Sequence, residues 1–166
     1  MKKLRLVPIV LVVLCASIPA MGAESTPARE PRWMQSPVAA MVSRARETTG
    51  QVSIEVLKQA IDNGEDVIVL DVREPNEYAA AHIPGSINIP RGLLEFSIWS
   101  LIPDKNEKIL VYCKTGARAA LAAKTLNELG YVHARAVATG GKAWVLAGYP
   151  VQTSISDEEF VLLPAQ

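Results

Sequence analysis

Cys113, Lys114, Thr115, Gly116, Ala117 and Arg118 place one nucleophilic sulfur, two cations and a glycine within six positions. Residues of these types at this spacing could do thiolate chemistry. Residues 108–112 (KILVY) form a short apolar run fit for a buried strand. Residues 118–129 are Ala-rich and helix-favouring, closed by Gly130. Strand, tight loop and helix put the cysteine at the bottom of a cup. A loop this short turns several backbone N–H groups toward the Cys113 sulfur, and the helix N-terminus adds partial positive charge. Helix N-termini and neighbouring cations favour the thiolate, the nucleophilic form of cysteine, and Lys114 and Arg118 push the same way. The other use of such a cysteine is packing beneath a strand. A glycine and two cations in the next five residues argue for chemistry.

The elements that must hold this loop follow from the pattern on either side. Ser36-Pro37 has a helix-start form, and Val38, Met41, Val42 and Ala45 recur at i, i+3, i+4 and i+7, which predicts a short amphipathic helix ending before Gly50. Residues 51–53 suit a first strand, with Ser53 capping a helix to about Asn63. Val67 to Leu70 is a continuous aliphatic run, the pattern of a parallel strand buried on both faces. A brief helix at 75–80, a His82-Ile83-Pro84-Gly85 turn, a strand at 87–89 and a helix at 93–101 lead to the central strand. Beyond the central helix come a strand near 135–138, the Gly140-Gly141 turn and a short helix carrying Trp144. Strands alternating with helices imply an α/β fold, a parallel sheet covered on both faces, with ligands where strands end and helices begin. Asp157, Glu158 and Glu159 in the tail could start a helix that Pro164 soon ends.

The first 23 residues read as an address. Lys2, Lys3 and Arg5 precede an apolar run from Val7 to Ile18, too short for a membrane span of about 20 residues, with small residues at Ala20, Gly22 and Ala23. This is the pattern of a secretory signal peptide, and it implies a periplasmic or secreted protein with no stable membrane span after cleavage. Cys15 follows Leu14, where a lipobox needs a small residue. Losing Lys2, Lys3 and Arg5 takes the basic count from 17 to 14 against 17 acidic residues, so the net charge moves from 0 to about −3. Nothing there suggests nucleic acid. Cys113 then remains as a lone thiol that cannot form an internal disulfide, in a compartment where a stray thiol is a liability. The expected organisation is 1–23 signal peptide, 24–50 linker and amphipathic helix, 51–151 one domain, and 152–166 a tail.

Three blocks together resemble the rhodanese homology family. Asp71-Val72-Arg73-Glu74-Pro75-Asn76-Glu77-Tyr78 with Ala81-His82-Ile83-Pro84-Gly85-Ser86-Ile87-Asn88-Ile89-Pro90 look like its first signature. Cys113-Lys114-Thr115-Gly116-Ala117-Arg118-Ala119 looks like its active-site loop, and Gly140-Gly141-Lys142-Ala143-Trp144 through Gly148-Tyr149-Pro150-Val151 like its C-terminal block. Ala81 stands where many members have Gly and Ser86 where Ala is common, and neither departure touches the loop. The resemblance implies one rhodanese domain with a five-stranded parallel sheet, and sulfurtransferase chemistry without a cofactor. It implies that Cys113 is the nucleophile and persulfide carrier. Backbone N–H groups of Lys114, Thr115, Gly116, Ala117 and Arg118 would hold the terminal sulfur, while Lys114 and Arg118 attract an anionic donor such as thiosulfate. The acceptor would be cyanide or a thiol. The family's phosphatase branch separates Cys and Arg by five residues to fit a phosphate, whereas four separate Cys113 from Arg118, a cup for one sulfur atom.

Asp71 and Arg73 are expected to pin loops near the site, because a turn after a buried strand needs its polar groups satisfied. His82, before a Pro-Gly turn, takes a structural role as well. Arg91 follows the Ile-Pro that ends the first block and is a candidate anion-binding residue reaching the cup. With no second His near His82 and no Cys-x2-Cys pair, no metal site is expected. Gly140-Gly141 and Trp144 read as a positive-φ turn and packing. A second function class competes with the enzyme: a periplasmic persulfide carrier or rhodanese-like binding module acting on an exported protein partner, suggested by the added segment at 24–49.

Overall fold

The computed structural model describes residues 34, 36–154 and 156–160. The signal segment, most of the linker and the end of the tail, all given expectations above, lie outside the described residues. Five strands make one parallel sheet: β1 (Gln51–Val52), β2 (Ile68–Asp71), β3 (Ile87–Asn88), β4 (Ile109–Tyr112) and β5 (Arg135–Val137), in the order β1-β5-β4-β2-β3. The strand that delivers Cys113 is the central one. Its four residues are all buried, and Leu110 lies in register with Val69 on one side and Arg135 on the other. Successive side chains of β4 point to opposite faces, so Ile109 and Val111 join one core while Leu110 and Tyr112 join a second. That two-sided burial is why the strand reads as an unbroken apolar run.

Helices α1 (Pro37–Thr49), α4 (Leu94–Leu101) and α5 (Ala117–Glu128) contribute to the first core, and α2 (Ile54–Asp62) and α6 (Gly140–Leu146) to the second. Helix α5 turns Ala119, Ala120, Ala122, Ala123 and Leu126 inward, and these small side chains let α5 lie close to the sheet. α1 packs along α5 and the edge of β5 through Val42, Ala45 and Thr49. Of the four apolar positions read from the sequence, Val42 and Ala45 are buried while Val38 and Met41 remain exposed, because the seam against α5 takes a narrower stripe. Each fully buried aliphatic side chain in these cores contributes about 1.5–3 kcal/mol.

The remaining helix, α3 (Pro75–Ala80), follows β2 directly and is opened by a capping box between Glu74 and Glu77. The tail departs from expectation: β6 (Val151–Thr153) and β7 (Ser156–Phe160) form an antiparallel pair instead of a helix. An irregular pairing register at Gln152/Thr153 accompanies the turn. β6 also closes on the turn after α3, where His82 and Gln152 exchange backbone hydrogen bonds of 2.8 and 2.9 Å.

Candidate active site

Cys113 is the first residue after β4, and three residues later Gly116 opens α5. The route between them is possible only with glycine. Gly116 has φ +89°, and a Cβ there would stand 2.0 Å from the carbonyl oxygen of Ala138. The chain therefore doubles back over the sulfur, and the Gly116 N–H donates to Cys113 Sγ at 3.2 Å. Among the described residues this is the one amide bonded directly to the sulfur, where the sequence implied several. The amides of Ala117 and Arg118 belong to the first turn of α5, whose N–H groups the helix itself leaves without acceptors. Cys113 is 1% exposed.

A second glycine locks the far side of the loop. Gly140 has φ +65°, and a Cβ there would meet the Cys113 carbonyl oxygen at 2.3 Å. Its absence lets the start of α6 dock on the loop backbone. Gly141 N–H donates to the Cys113 carbonyl at 2.7 Å, and Lys142 N–H to the Lys114 carbonyl at 3.0 Å. The Gly140-Gly141 pair thus holds the sulfur-bearing residue from its carbonyl side.

The cations divide into two kinds. Lys114 is exposed, as is Thr115, and so is Lys142 at the start of α6. The Arg118 guanidinium makes a two-pronged ion pair with Glu77 of α3, Nη1 to Oε2 at 2.8 Å and Nη2 to Oε1 at 3.0 Å. The hydrogen bonds from Arg118 hold the Glu77 carboxyl below the usual carboxylate range, and the same bonds raise Arg118 above its own. Arg118 is therefore neutralised where it stands, and Lys114 and Lys142 are the loop's unpaired cations among the described residues. Glu77 lies 41 residues from Arg118 in sequence, and no local pattern links the two. Arg91 is engaged elsewhere along the chain. Its guanidinium bonds Glu95 at 2.8 Å and Thr125 at 3.0 Å, the latter in the third turn of α5, so the side chain is engaged along the helix flank and not at the cup.

Asp71 and Arg73 tie the end of β2 to the turn after α3. Asp71 is fully buried, and Arg73 binds it through Nε and Nη2 at 2.8 and 2.5 Å while giving a further hydrogen bond to the Ala81 carbonyl at 2.8 Å. Burial works against the Arg73 charge, yet the hydrogen bonds and charge of Asp71 outweigh it and raise the guanidinium. Tyr112, beside the cysteine in sequence, accepts the Ile83 N–H at 3.1 Å and pairs with the Ser86 hydroxyl at 3.2 Å. Burial, aided by the Asp71 charge, pushes its phenol up, so Tyr112 stays neutral and acts as a fastening for the 83–86 turn. His82 stacks on Tyr78 at 3.8 Å, and its Nδ1 lies 2.9 Å from the Tyr78 carbonyl. Among the described residues no cluster of His, Cys, Asp or Glu could hold a metal ion.

Residues 53–147 match the family described as the Rhodanese-like domain. A putative sulfur carrier protein of Bacillus subtilis is 37% identical over 94 residues, which cover 57% of this chain and 50% of that protein. A thiosulfate sulfurtransferase of Escherichia coli is 41% identical over 64 residues, covering 39% of this chain and 62% of that protein. The chain thus spans half to three fifths of the length of these two relatives. Among solved structures, one from Rhodopseudomonas palustris, of unknown function and described as a possible tyrosine phosphatase, superposes with a TM-score of 0.66 at 29% identity. It covers 75% of this chain and 100% of that one.

Proposed function

The chain belongs to the rhodanese-like domain family, and on that premise we propose that it is a sulfurtransferase carrying sulfane sulfur as a persulfide on Cys113. The donor in this reading is thiosulfate or a related anion, and the acceptor is cyanide or a thiol. In the first half-reaction the Cys113 thiolate attacks the outer sulfur of thiosulfate. A new S–S bond forms, the donor's S–S bond breaks, and sulfite leaves with that bond's electron pair. In the second, the acceptor attacks the terminal sulfur of the persulfide, and the Cys113 thiolate departs unchanged. Electrons balance without an external oxidant or reductant.

The observation that carries the reading is the cup: a cysteine sulfur 3.2 Å from an amide at the head of α5, inside a loop with four residues between Cys113 and Arg118. The Gly116 N–H and the first-turn amides are suited to stabilise the terminal sulfur anion. Lys114 draws the anionic donor, whereas Arg118, held by Glu77, serves chiefly to tie α3 to the loop. The likeness to a possible tyrosine phosphatase does not change this reading, because four residues separate Cys113 from Arg118, where the family resemblance gives the phosphatase branch five. Residues 1–23, with their basic start and 12-residue apolar run, support an exported, periplasmic or secreted protein. Replacing Cys113 with Ser is expected to reduce thiosulfate-to-cyanide turnover to background in a colorimetric thiocyanate assay. Turnover retained by that variant would overturn the proposal.

A second reading, a persulfide carrier that serves a protein partner, is favoured by the likeness to the Bacillus subtilis carrier and by the exposed stripe of Leu93, Phe96 and Trp99 beside and along α4. The segment that first suggested it contributes less than expected, since α1 is docked into the core by Val42 and Ala45.

A further inference from the structure

Helix α4 gives Leu94 and Ile98 to the core, while its outer face carries the two most exposed large apolar side chains among the described residues. Phe96 is 77% exposed and Trp99 66%, with Leu93 at 54% and Leu101 at 58% beside them. The whole sequence has only two Phe and three Trp, so one of each held in water calls for a cause. A single exposed apolar residue needs none, but a contiguous patch marks an interaction surface.

Area indicates what kind of cover the patch takes. Weighted by these exposures, side chains of this size present about 500 Å² of apolar surface. A stable interface buries about 800 Å² on each partner, and about 65% of a homodimer interface is apolar. The patch therefore supplies roughly the apolar area that one half of a homodimer needs.

Charge and shape point to a second copy. Glu95 is the one charged residue from 92 to 103, and Arg91 pairs with it at 2.8 Å. The face thus offers a foreign partner no free charge to recognise, and two copies meet on it without like-charge repulsion. At about 100° per residue, Phe96 stands at the middle of the outer face, with Leu93 and Ser100 along one side and Gly92 and Trp99 along the other. In an antiparallel pair about a two-fold axis at Phe96, Leu93 comes over Ser100, Trp99 over Gly92, and Phe96 over its own copy. Large side chains meet small ones on both sides of the axis, as ridges entering grooves.

We propose that the outer face of α4 is a self-association surface, on which two copies of this chain pair antiparallel through Leu93, Phe96 and Trp99. The proposal goes beyond sulfur transfer and does not depend on it.

Sedimentation velocity of the purified protein tests the pairing. Wild type should be a dimer with a Kd below about 10 μM. Phe96→Asp and Trp99→Ser, both at exposed positions, should each weaken it about tenfold or more, with the far-UV circular dichroism of wild type retained. Leu146→Asp, at an exposed apolar position on α6, should leave it unchanged. In the Cys113→Ser background, Phe96→Cys lies on the axis and should oxidise to a covalent dimer, whereas Leu146→Cys should not. A wild-type monomer at about 100 μM, a dimer retained in both α4 variants, or no cross-link through Phe96→Cys would each overturn the proposal. A monomer that sediments with phosphatidylethanolamine–phosphatidylglycerol vesicles would also overturn it and assign the face to a lipid surface. Failure of Cys113 to take up sulfur would end the sulfurtransferase reading and leave the dimer to be decided by sedimentation.

Discussion

Two side-chain decisions at the loop set its chemistry. At Gly116 a methyl group would sit 2.0 Å from a backbone oxygen in a conformation that L-residues avoid. Gly116→Ala is therefore expected to cost more than about 2 kcal/mol in chemical denaturation and to remove turnover even in whatever fraction stays folded. At Glu77 the question is electrostatic. Glu77→Gln keeps the size but releases the Arg118 charge, so the KM for thiosulfate should fall severalfold while kcat changes less. The same variant tests the ion pair by pH. Because the Glu77 carboxyl is held below its ordinary value of 4.5, its contribution is full above that value and is lost as pH falls toward the lowered one. Wild type should lose more stability than Glu77→Gln between about pH 5 and 3. The difference should stay under about 1 kcal/mol, since both partners are close to a third exposed. An equal acid sensitivity in the two proteins would mean the pair contributes nothing.

At the scale of elements, β4 does two jobs: it delivers Cys113 and, through Tyr112, fastens the turn that follows α3. Tyr112→Phe removes the acceptor of the buried Ile83 N–H, so it should destabilise the domain by about 1–3 kcal/mol and loosen the 83–86 turn, visible as faster amide exchange at Ile83 and Ser86. The elements themselves were largely legible. The continuous aliphatic run at 67–70 and the short apolar run at 108–112 signalled buried strands, and Ser53 and Pro37 marked helix starts, because these signals are local and depend on a few neighbouring residues. The tail was not legible in this way. Asp157, Glu158 and Glu159 favour a helix start by local preference, yet the chain pairs there with β6, a partner that local reading cannot weigh. The same limit applies to α1, where the exposed Val38 and Met41 fit the helical period as well as the buried Val42 and Ala45 do, and only the surface of α5 chooses between them.

For the whole molecule, the sheet order places the cysteine strand at the centre and brings α3, the loop and α6 to one end of it. Cys113 and the glycine of its loop were visible in sequence because they lie three positions apart along the chain. The Glu77–Arg118 pair was not, since it joins residues tens of positions apart that only the crossovers of the sheet bring together. Arg91 shows the converse, a residue close in sequence to the signature block whose side chain is drawn away by Glu95 and Thr125. The central claim, that Cys113 carries sulfur as a persulfide, is tested most directly by intact-mass spectrometry of the purified protein before and after thiosulfate, followed by a cyanide chase. Loading should add about 32 Da, one sulfur atom, confined to Cys113 and removed by cyanide. No gain from thiosulfate or from any persulfide donor, or the same gain in the Cys113→Ser protein, would contradict it.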